Sequence, residues 1–261
     1  MKNILLRLEY DGSDYFGWQI QSEKKSHGTR HTTHVKSEKA KTVQGEVEKA
    51  IEKLFRQKVK LIYAGRTDRG VHAKDQVLNF FVDTTIPIAN IKGALNSFLP
   101  GDIRVKRVKK VSDDFHARFS VSTKIYRYRI LNVKEPSVFE RTRSWWVPDP
   151  LDLKVMQSVA KKLIGYKDRS LFAKQPDLYH DCRRRIFAIH IKKKSPFVII
   201  DIEADGFLRN MARNIVSFLV EGGGCRMSLA RARDVLEGRF PWKKKPAPGY
   251  GLYLYKVKYS G

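Results

Sequence analysis

The sequence predicts an α+β fold in which two similar halves share one sheet. Apolar residues alternate along some short segments and recur with helical spacing along others, and the order of these segments repeats. In both halves the predicted order is β-α-β-β-α-β. We therefore predict two pseudo-symmetric halves, residues 1–111 and 112–261, joined into a continuous mixed, mostly antiparallel sheet. Helices would cover one side of this sheet, and a basic cleft would lie on the other.

The first half supplies the clearest strand and helix. Residues 3–10 alternate and are rich in Ile and Leu, which predicts a strand. Four apolar residues recur with helical spacing after Thr42, a possible N-cap, and predict a helix over 43–57. The other predicted elements are strands at 61–64, 77–82 and 103–111, and a helix that begins at Pro87 and buries Ile91, Leu95 and Phe98.

The second half repeats this order and adds one helix. Its first helix is predicted to turn Val155, Val159 and Leu163 inward and to stop at Gly165. The predicted strands are 124–131, 186–192, 197–203 and 252–259, and the predicted helices are 151–164, 207–220 and 228–237. In the helix over 207–220, the residues expected on the buried face are Leu208, Met211, Ala212, Ile215 and Leu219.

The charge of the chain is its most unusual bulk property. It holds 52 Lys and Arg against 27 Asp and Glu, a formal net charge of +25 with a pI near 10.1. Such a chain is expected to attract polyanions, because each phosphate it neutralises releases counterions. The charge favours a nucleic-acid partner; a highly charged, solvated surface is the plainer alternative.

Residues 22–41 are set apart by composition. They hold six Lys or Arg, two Glu, three His and almost no large apolar residue, which predicts a long, mobile, basic insertion. Its three histidines, His27, His31 and His34, have no Cys or Asp among them, so we expect no metal site. No nucleotide-cofactor motif is present either.

The cysteines and the start of the chain bear on the compartment. Cys182 and Cys225 belong to no CxxC pair or zinc set, and we expect free thiols in a reducing environment. Arg7 and Glu9 interrupt the opening apolar run, which predicts neither a signal peptide nor a membrane span. We expect a cytoplasmic protein.

Residues 65–72 form the first candidate site. They lie between two predicted strands, have glycines at both ends of the turn, and present Arg66, Asp68 and Arg69 together. Asp68 between two guanidinium groups is expected to stay ionised, which suits a nucleophile or base toward a ribose carbon. The structural alternative is a turn in which Asp68 bonds its own loop backbone.

Two further segments combine aromatic or apolar residues with arginine. On a strand, Tyr126 and Tyr128 share one face, and Arg127 and Arg129 share the other. Such interleaving suits stacking on an unpaired base, although core tyrosines and solvent-facing arginines explain it equally well. In the segment 206–214, Arg209 and Arg213 lie four residues apart on a predicted helix, and one of them needs a phosphate or, structurally, an acidic partner.

Five stretches that keep their order along the chain carry a resemblance. They are Glu9-Tyr10-Asp11-Gly12 with Gly17-Trp18-Gln19; Thr42-Val43-Gln44-Gly45; Ala64-Gly65-Arg66-Thr67-Asp68 with Gly70-Val71-His72-Ala73; Asp114-Phe115-His116-Ala117-Arg118-Phe119-Ser120 with Lys124, Tyr126, Arg127 and Tyr128; and Met211 to Val216 with Gly251-Leu252-Tyr253-Leu254. Together they resemble the tRNA pseudouridine synthase A family, over nearly the whole chain.

The resemblance implies a role for five residues. Asp68 matches the family's catalytic aspartate, and Tyr126 matches the tyrosine that stacks on the target base. Arg66 matches an arginine that helps hold the flipped nucleotide, and Arg213 matches the partner of the catalytic carboxylate. Leu252 matches a leucine that shields the base.

The resemblance also implies a substrate and an assembly. The substrate would be tRNA, with uridines at positions 38, 39 and/or 40 of the anticodon stem-loop as targets. The enzyme would be an isomerase without cofactor or metal, a homodimer whose halves are of the RRM or ferredoxin-like type. Arg69 departs from the family, which usually has Ala there, and the insertion at 22–41 is longer than usual.

Two other classes of protein remain as alternatives. A non-catalytic RNA-binding or RNA-chaperone protein would explain the charge but not the intact Asp68. A basic structural protein of DNA or the ribosome would explain neither Asp68 nor the motifs around Tyr126 and Arg213.

Overall fold

The computed structural model describes residues 1–20, 40–224 and 227–259. Its strands are β1 (Lys2–Tyr10), β2 (Ile62–Tyr63), β3 (His72–Val82), β4 (Ile103–Lys110), β5 (Val121–Leu131), β6 (Trp145–Trp146), β7 (Gly165–Asp168), β8 (Arg183–Lys194), β9 (Phe197–Ala204) and β10 (Leu252–Tyr259). Its helices are α1 (Val43–Phe55), α2 (Ile88–Phe98), α3 (Leu153–Lys162), α4 (Met211–Gly223) and α5 (Leu229–Leu236).

The strands form one sheet, in the order β4-β1-β3-β10-β5-β9-β8-β7, with β2 on β3 and β6 on β5. Two similar groups of strands meet at its centre. The first is β4-β1-β3-β2, and the second, in corresponding chain order, is β10-β5-β9-β8. They are joined by a parallel pairing that places Tyr253 beside His72 and Leu254 beside Ala73. The predicted fold class is confirmed, including the pseudo-symmetry and the mixed, mostly antiparallel sheet.

Helix α1 shows how closely local sequence controls an element here. The Thr42 side chain accepts a hydrogen bond from the Gly45 N–H, and Glu46 lies in the first turn, where the helix dipole favours a negative charge. Arg56 then adopts a left-handed conformation, with φ 55°, and ends the helix earlier than the predicted residue 57. Val47 and Ile51 are fully buried on its inner face.

Helix α2 corrects one prediction about the core. Ile91 and Leu95 are buried as expected, but Phe98 is 38% exposed. Phe98 lies in the last turn, one residue before the chain leaves the helix at Leu99 in an extended conformation. The Lys53 ammonium lies 4.5 Å from the centre of its ring, so the ring is partly covered by a charged neighbour and not by the core.

Helix α4 begins later than predicted. Asn210 has φ 61°, a left-handed conformation that cannot continue a helix toward its N-terminus, so the helix starts at Met211 and not at residue 207. Arg209 therefore lies outside the helix and is exposed, whereas Arg213 lies within it. The five predicted apolar residues are all buried, with Leu208 placed just before the helix.

Helix α3 is shorter than predicted. Asp152 caps it by accepting hydrogen bonds from the Lys154 and Val155 N–H groups, so it begins at Leu153. Val155 is only half-buried, because Met156 takes the inward position instead.

Some predictions fall on other parts of the chain. Residues 22–39, with the three histidines of the insertion, lie outside the described residues, as does Cys225. Cys182 is a free, half-buried thiol. In the described part of the chain, we find no group of three metal-ligating side chains and no helix with the length and hydropathy of a membrane span.

Candidate active site

The loop that joins β2 to β3, residues 64–71, is held by hydrogen bonds of its backbone and of Thr67. The Gln76 side-chain amide donates to the Gly65 carbonyl at 2.7 Å, and the Tyr10 and Thr67 hydroxyls lie 2.9 Å apart. A turn closes where the Val71 N–H donates to the Asp68 carbonyl at 3.2 Å. The loop is thus fixed in shape while Asp68, one-third exposed, faces outward.

The segment that follows β1 packs directly against this loop. The Trp18 N–H donates to the Thr67 carbonyl at 3.0 Å, and the Gly70 N–H donates to the Tyr15 carbonyl at 3.3 Å. Gly17 has φ +102°, and a Cβ there would lie 2.6 Å from the Thr67 oxygen, so no other residue fits without a shift. This segment therefore packs against the loop and stabilises its conformation.

The C-terminal segment closes on the loop from the other side. A Cβ on Gly249 would lie 2.5 Å from the Arg69 carbonyl oxygen. The buried His72 ring places Nε2 at 3.0 Å from the Tyr250 carbonyl and Nδ1 at 3.1 Å from Asp11 Oδ1. This hydrogen bond with His72 holds the pKa of Asp11 well below its ordinary value. His72 thus ties the loop's end to two distant segments.

Asp68 contacts Arg213, far away in sequence. Asp68 Oδ2 lies 3.2 Å from Arg213 Nη1, and Arg213 Nε donates to the Ala247 carbonyl at 2.6 Å. The guanidinium is therefore anchored at one edge and presents the other to the carboxylate. Within the described residues, the Asp68 side chain makes no hydrogen bond to its own loop, so the simple turn predicted as the structural alternative is not what is observed.

The arginines beside Asp68 in sequence are not its partners, contrary to the expectation of flanking guanidinium groups. Arg66 is exposed. The Arg69 guanidinium lies 4.4 Å from the centre of the Phe16 ring, which is itself 42% exposed. The partner of Asp68 comes from helix α4 instead, as Arg213.

Tyr126 lies against the same loop. Its ring is buried and meets Phe207 edge-on, with centroids 4.7 Å apart. Its hydroxyl lies 3.9 Å from the point that a Cβ on Gly65 would occupy. Burial raises the pKa of Tyr126 well above its ordinary value, and the charge of Asp68 adds to this. The two groups are thus close enough to interact electrostatically.

The other residues of the Tyr-Arg strand have structural partners. Tyr128 is fully buried and donates to the Pro248 carbonyl at 2.7 Å. Arg127 makes a two-point contact with Asp201, with distances of 2.7 and 2.8 Å. Arg129 pairs with Glu140 at 3.1 Å. Both tyrosines are buried, as the core interpretation predicts, whereas both arginines are held by carboxylates and do not simply face solvent. Tyr126 differs from Tyr128 because it also lies against the loop that carries Asp68.

Leu252 begins β10 and is buried. The register places it opposite Tyr128, while Leu254 lies opposite Tyr126. Side chains two residues apart share a face of a strand, so both leucines point to the side that Tyr126 occupies. Leu254 was not singled out from the sequence, although the same alternation would have identified it.

Sequence reasoning also missed Lys124. It lies two residues before Tyr126 on β5, and its ammonium is 3.7 Å from the Cβ position of Gly65. Burial, together with the charges of Arg118 and Arg184, lowers the pKa of Lys124 to about 8. The alternation that paired Tyr126 with Tyr128 extends back to Lys124 and would have identified it.

The site thus combines a carboxylate held by an arginine with a buried tyrosine and a largely buried lysine, on a strongly basic chain. A family model described as "tRNA pseudouridine synthase" matches residues 8–120 and 159–260. The chain belongs to this family. It is accordingly an isomerase that converts uridine to pseudouridine in tRNA.

Full-length relatives agree with the family model. A tRNA pseudouridine synthase A from Thermotoga sp. (strain RQ2) is 40% identical over 98% of this chain and 99% of its own length. One from Thermoanaerobacter sp. (strain X514) is 39% identical over 99% of this chain and all of its own length. One from Acetivibrio thermocellus (strain ATCC 27405) is 38% identical, again over 99% of this chain.

Proposed function

We propose that this enzyme isomerises uridines in the anticodon stem-loop of tRNA, at positions 38, 39 and/or 40, with Asp68 as its catalytic carboxylate. The observation that carries the assignment of Asp68 is its contact with Arg213, 145 residues away, beside Tyr126. A carboxylate that is ion-paired, partly exposed and free of its own loop is available to a substrate. The target positions rest on the family resemblance.

The reaction needs a group that acts on the ribose. The N1–C1′ bond of uridine breaks, a C5–C1′ bond forms, C5 loses its proton, and N1 gains one. Asp68 either adds to C1′ or removes a ribose proton, and both roles require the ionised form. The contact with Arg213 holds the carboxylate in place.

The base must leave its stack before it can rotate, which costs a few kcal/mol. Stacking on Tyr126 would return about 1–3 kcal/mol. We assign the shielding of the free base from water to Leu252, which is buried on the same face of the sheet. Arg66 is exposed at the rim of the loop and is assigned to the flipped nucleotide's backbone.

We further propose that residues 1–111 and 112–261 act as two halves of one binding cleft, because Asp68 comes from one and Tyr126 and Arg213 come from the other. The working enzyme would be a cytoplasmic homodimer that needs no cofactor or metal. The net charge of +25 supports binding of the tRNA backbone over a wide surface.

The test is to incubate the enzyme with an unmodified tRNA transcript and to map pseudouridine by carbodiimide-blocked reverse transcription. Wild type should give stops one nucleotide 3′ of positions 38, 39 and/or 40, and Asp68→Ala should give none. Asp113→Asn, which changes an exposed carboxylate distant from the loop in sequence, should match wild type. Stops elsewhere would overturn the target position. Full product from Asp68→Ala would overturn the catalytic assignment.

A further inference from the structure

Lys124 lies in the candidate active site with no role in the reaction described above. It shares a strand face with Tyr126, and its ammonium and the Tyr126 hydroxyl both lie within 4 Å of the Cβ position of Gly65, at 3.7 and 3.9 Å. Both groups therefore lie against the loop that carries Asp68.

The charges of two further cations, Arg184 and Arg118, act on Lys124. Ala204 on β9 lies opposite Lys124 on one side and opposite Ile186 of β8 on the other. Arg184 is two residues before Ile186, so it lies on the second strand from Lys124. Its Cδ and Nε lie 3.3 Å from the Cβ position of Gly206. Arg118, which precedes β5, is the other cation whose charge acts on Lys124.

Carboxylates do not balance this cluster. Within residues 1–20, 40–224 and 227–259, no carboxylate forms an ion pair with Lys124, Arg118 or Arg184. Arg184 donates to two backbone carbonyls, those of Asp181 and Arg183. The charge of Asp205 acts on Lys124 in the opposite direction, but its two oxygens accept the Arg185 N–H at 3.1 Å each.

Such a cluster is costly in the free protein. A largely buried ammonium near two guanidinium groups is disfavoured by burial and by like charges, and the pKa of Lys124 falls to about 8 as a result. An anion placed among the three groups would remove that cost. Lys124 lies next to the reactive loop, and no described carboxylate forms an ion pair with it or with the two arginines, so the three cations are suited to receive the anion from the substrate.

We propose that Lys124, Arg118 and Arg184 form a phosphate subsite, which holds the RNA backbone phosphate adjacent to the flipped uridine. Lys124 provides the innermost contact, and the two arginines close the outer side. The subsite would fix the nucleotide's backbone while the free base rotates over Tyr126. This inference rests on the proposed function, since it takes the loop of Asp68 as the place where the nucleotide is bound.

The test is the salt dependence of tRNA binding in an Asp68→Ala background, so that no turnover occurs. Lys124→Met removes the charge and keeps much of the length, and Lys124→Arg keeps the charge. Lys193→Met is the matched control, because this exposed lysine lies nine residues beyond Arg184 on β8, roughly 30 Å away. Each variant is also made with Asp68 intact, for kcat and KM. Thermal melts confirm that all of them fold.

The proposal predicts a Kd about three- to tenfold higher for Lys124→Met at low salt, with the slope of log Kd against log salt smaller by about 0.7–0.9. Lys124→Arg should recover most of the affinity, and Arg184→Met should change it in the same direction as Lys124→Met. An unchanged slope in Lys124→Met, or an equal loss in Lys193→Met, would overturn the subsite.

The measurements of kcat and KM distinguish two further outcomes. If Lys124→Met lowers kcat strongly while Kd and slope stay unchanged, Lys124 acts on the base and the phosphate assignment is wrong. If Asp68→Ala retains activity, the proposed catalytic role fails, but the binding comparison between Lys124→Met and Lys193→Met still decides the subsite.

Discussion

The two halves of the molecule share a strand order but differ in one connection. In the first half, residues 64–71 join the second strand to the third and carry Asp68. In the second half, residues 195–196 make the corresponding link between β8 and β9, as a tight hairpin turn with Lys194 opposite Phe197. The repeated framework therefore supplies stability and position, and the reactive group depends on a single lengthened loop.

A second contrast follows from the first. The loop of the first half is irregular and needs outside support from Gly17, Gly249 and His72. The second half contributes Tyr126 and Arg213 from regular elements, a strand and a helix, whose packing already fixes them. A carboxylate on an irregular loop is thus aimed by partners on regular elements.

The largest effect on the reaction rate is expected at Asp68, in the loop that distinguishes the first half from the second. Asp68→Asn keeps the size of the side chain but cannot act as nucleophile or base, so the rate should fall on the order of a thousandfold or more. Release of tritium from tRNA carrying [5-³H]uridine measures this, because C5 loses its hydrogen. Ser195→Ala, in the equivalent turn of the other half, should leave the rate unchanged.

The second-largest effect is expected from removal of Arg213, the partner of Asp68 in the other half. Arg213→Ala removes both the contact with Asp68 and the hydrogen bond to the Ala247 carbonyl. Because the carboxylate is then no longer held in position, kcat should fall on the order of a hundredfold. The free energy of unfolding should fall by only about 0–1 kcal/mol for the lost ion pair, because the carboxylate is one-third exposed. Arg213→Lys should recover part of the rate, and a kcat equal to wild type in Arg213→Ala would refute the aiming role.

The two tyrosines of β5 should separate function from stability. Tyr126→Ala should lower kcat/KM roughly 5- to 150-fold through the loss of base stacking. Tyr128→Phe should instead cost about 0.5–1.5 kcal/mol of unfolding free energy, because its hydroxyl donates to the Pro248 carbonyl. Urea unfolding and steady-state kinetics on both variants test this, and a reversed pattern would contradict the assignment.

The smallest effect is expected at Arg69. Its guanidinium packs on Phe16 and not on Asp68, so Arg69→Ala should cost about 0.5–1 kcal/mol of stability and change kcat less than about threefold. Phe16→Ala should produce a similar loss of stability. A large fall in kcat for Arg69→Ala alone would show that the arginine turns toward the substrate.

Most of the helices and strands could be predicted, because the local sequence patterns favour the same elements that the sheet requires. The alternation in β1 and the capped, amphipathic α1 needed only short-range patterns. The errors occur where a single backbone conformation or a single neighbouring side chain determines the bounds of a helix or the burial of a residue. The left-handed Asn210 moves the start of α4, and Lys53 covers the ring of Phe98 outside the core.

The candidate site was predictable in part. The motif around Asp68 could be recognised from the sequence, but its partner could not be derived from charge spacing. Arg66 and Arg69 are nearer in sequence, and only the fold brings Arg213 to the carboxylate. The alternation along β5 places Lys124 on the face of Tyr126, but only the fold shows that its ammonium approaches the loop at Gly65.

The central claim is that a target uridine is bound between Asp68 of one half and Tyr126 of the other. The most direct test is a structure of the Asp68→Asn variant bound to an anticodon stem-loop RNA. The uridine C1′ should lie about 3–3.5 Å from the substituted side chain at position 68, with the flipped base against Tyr126. A target base that stays stacked in the RNA, or that binds away from residues 64–71, would contradict the account.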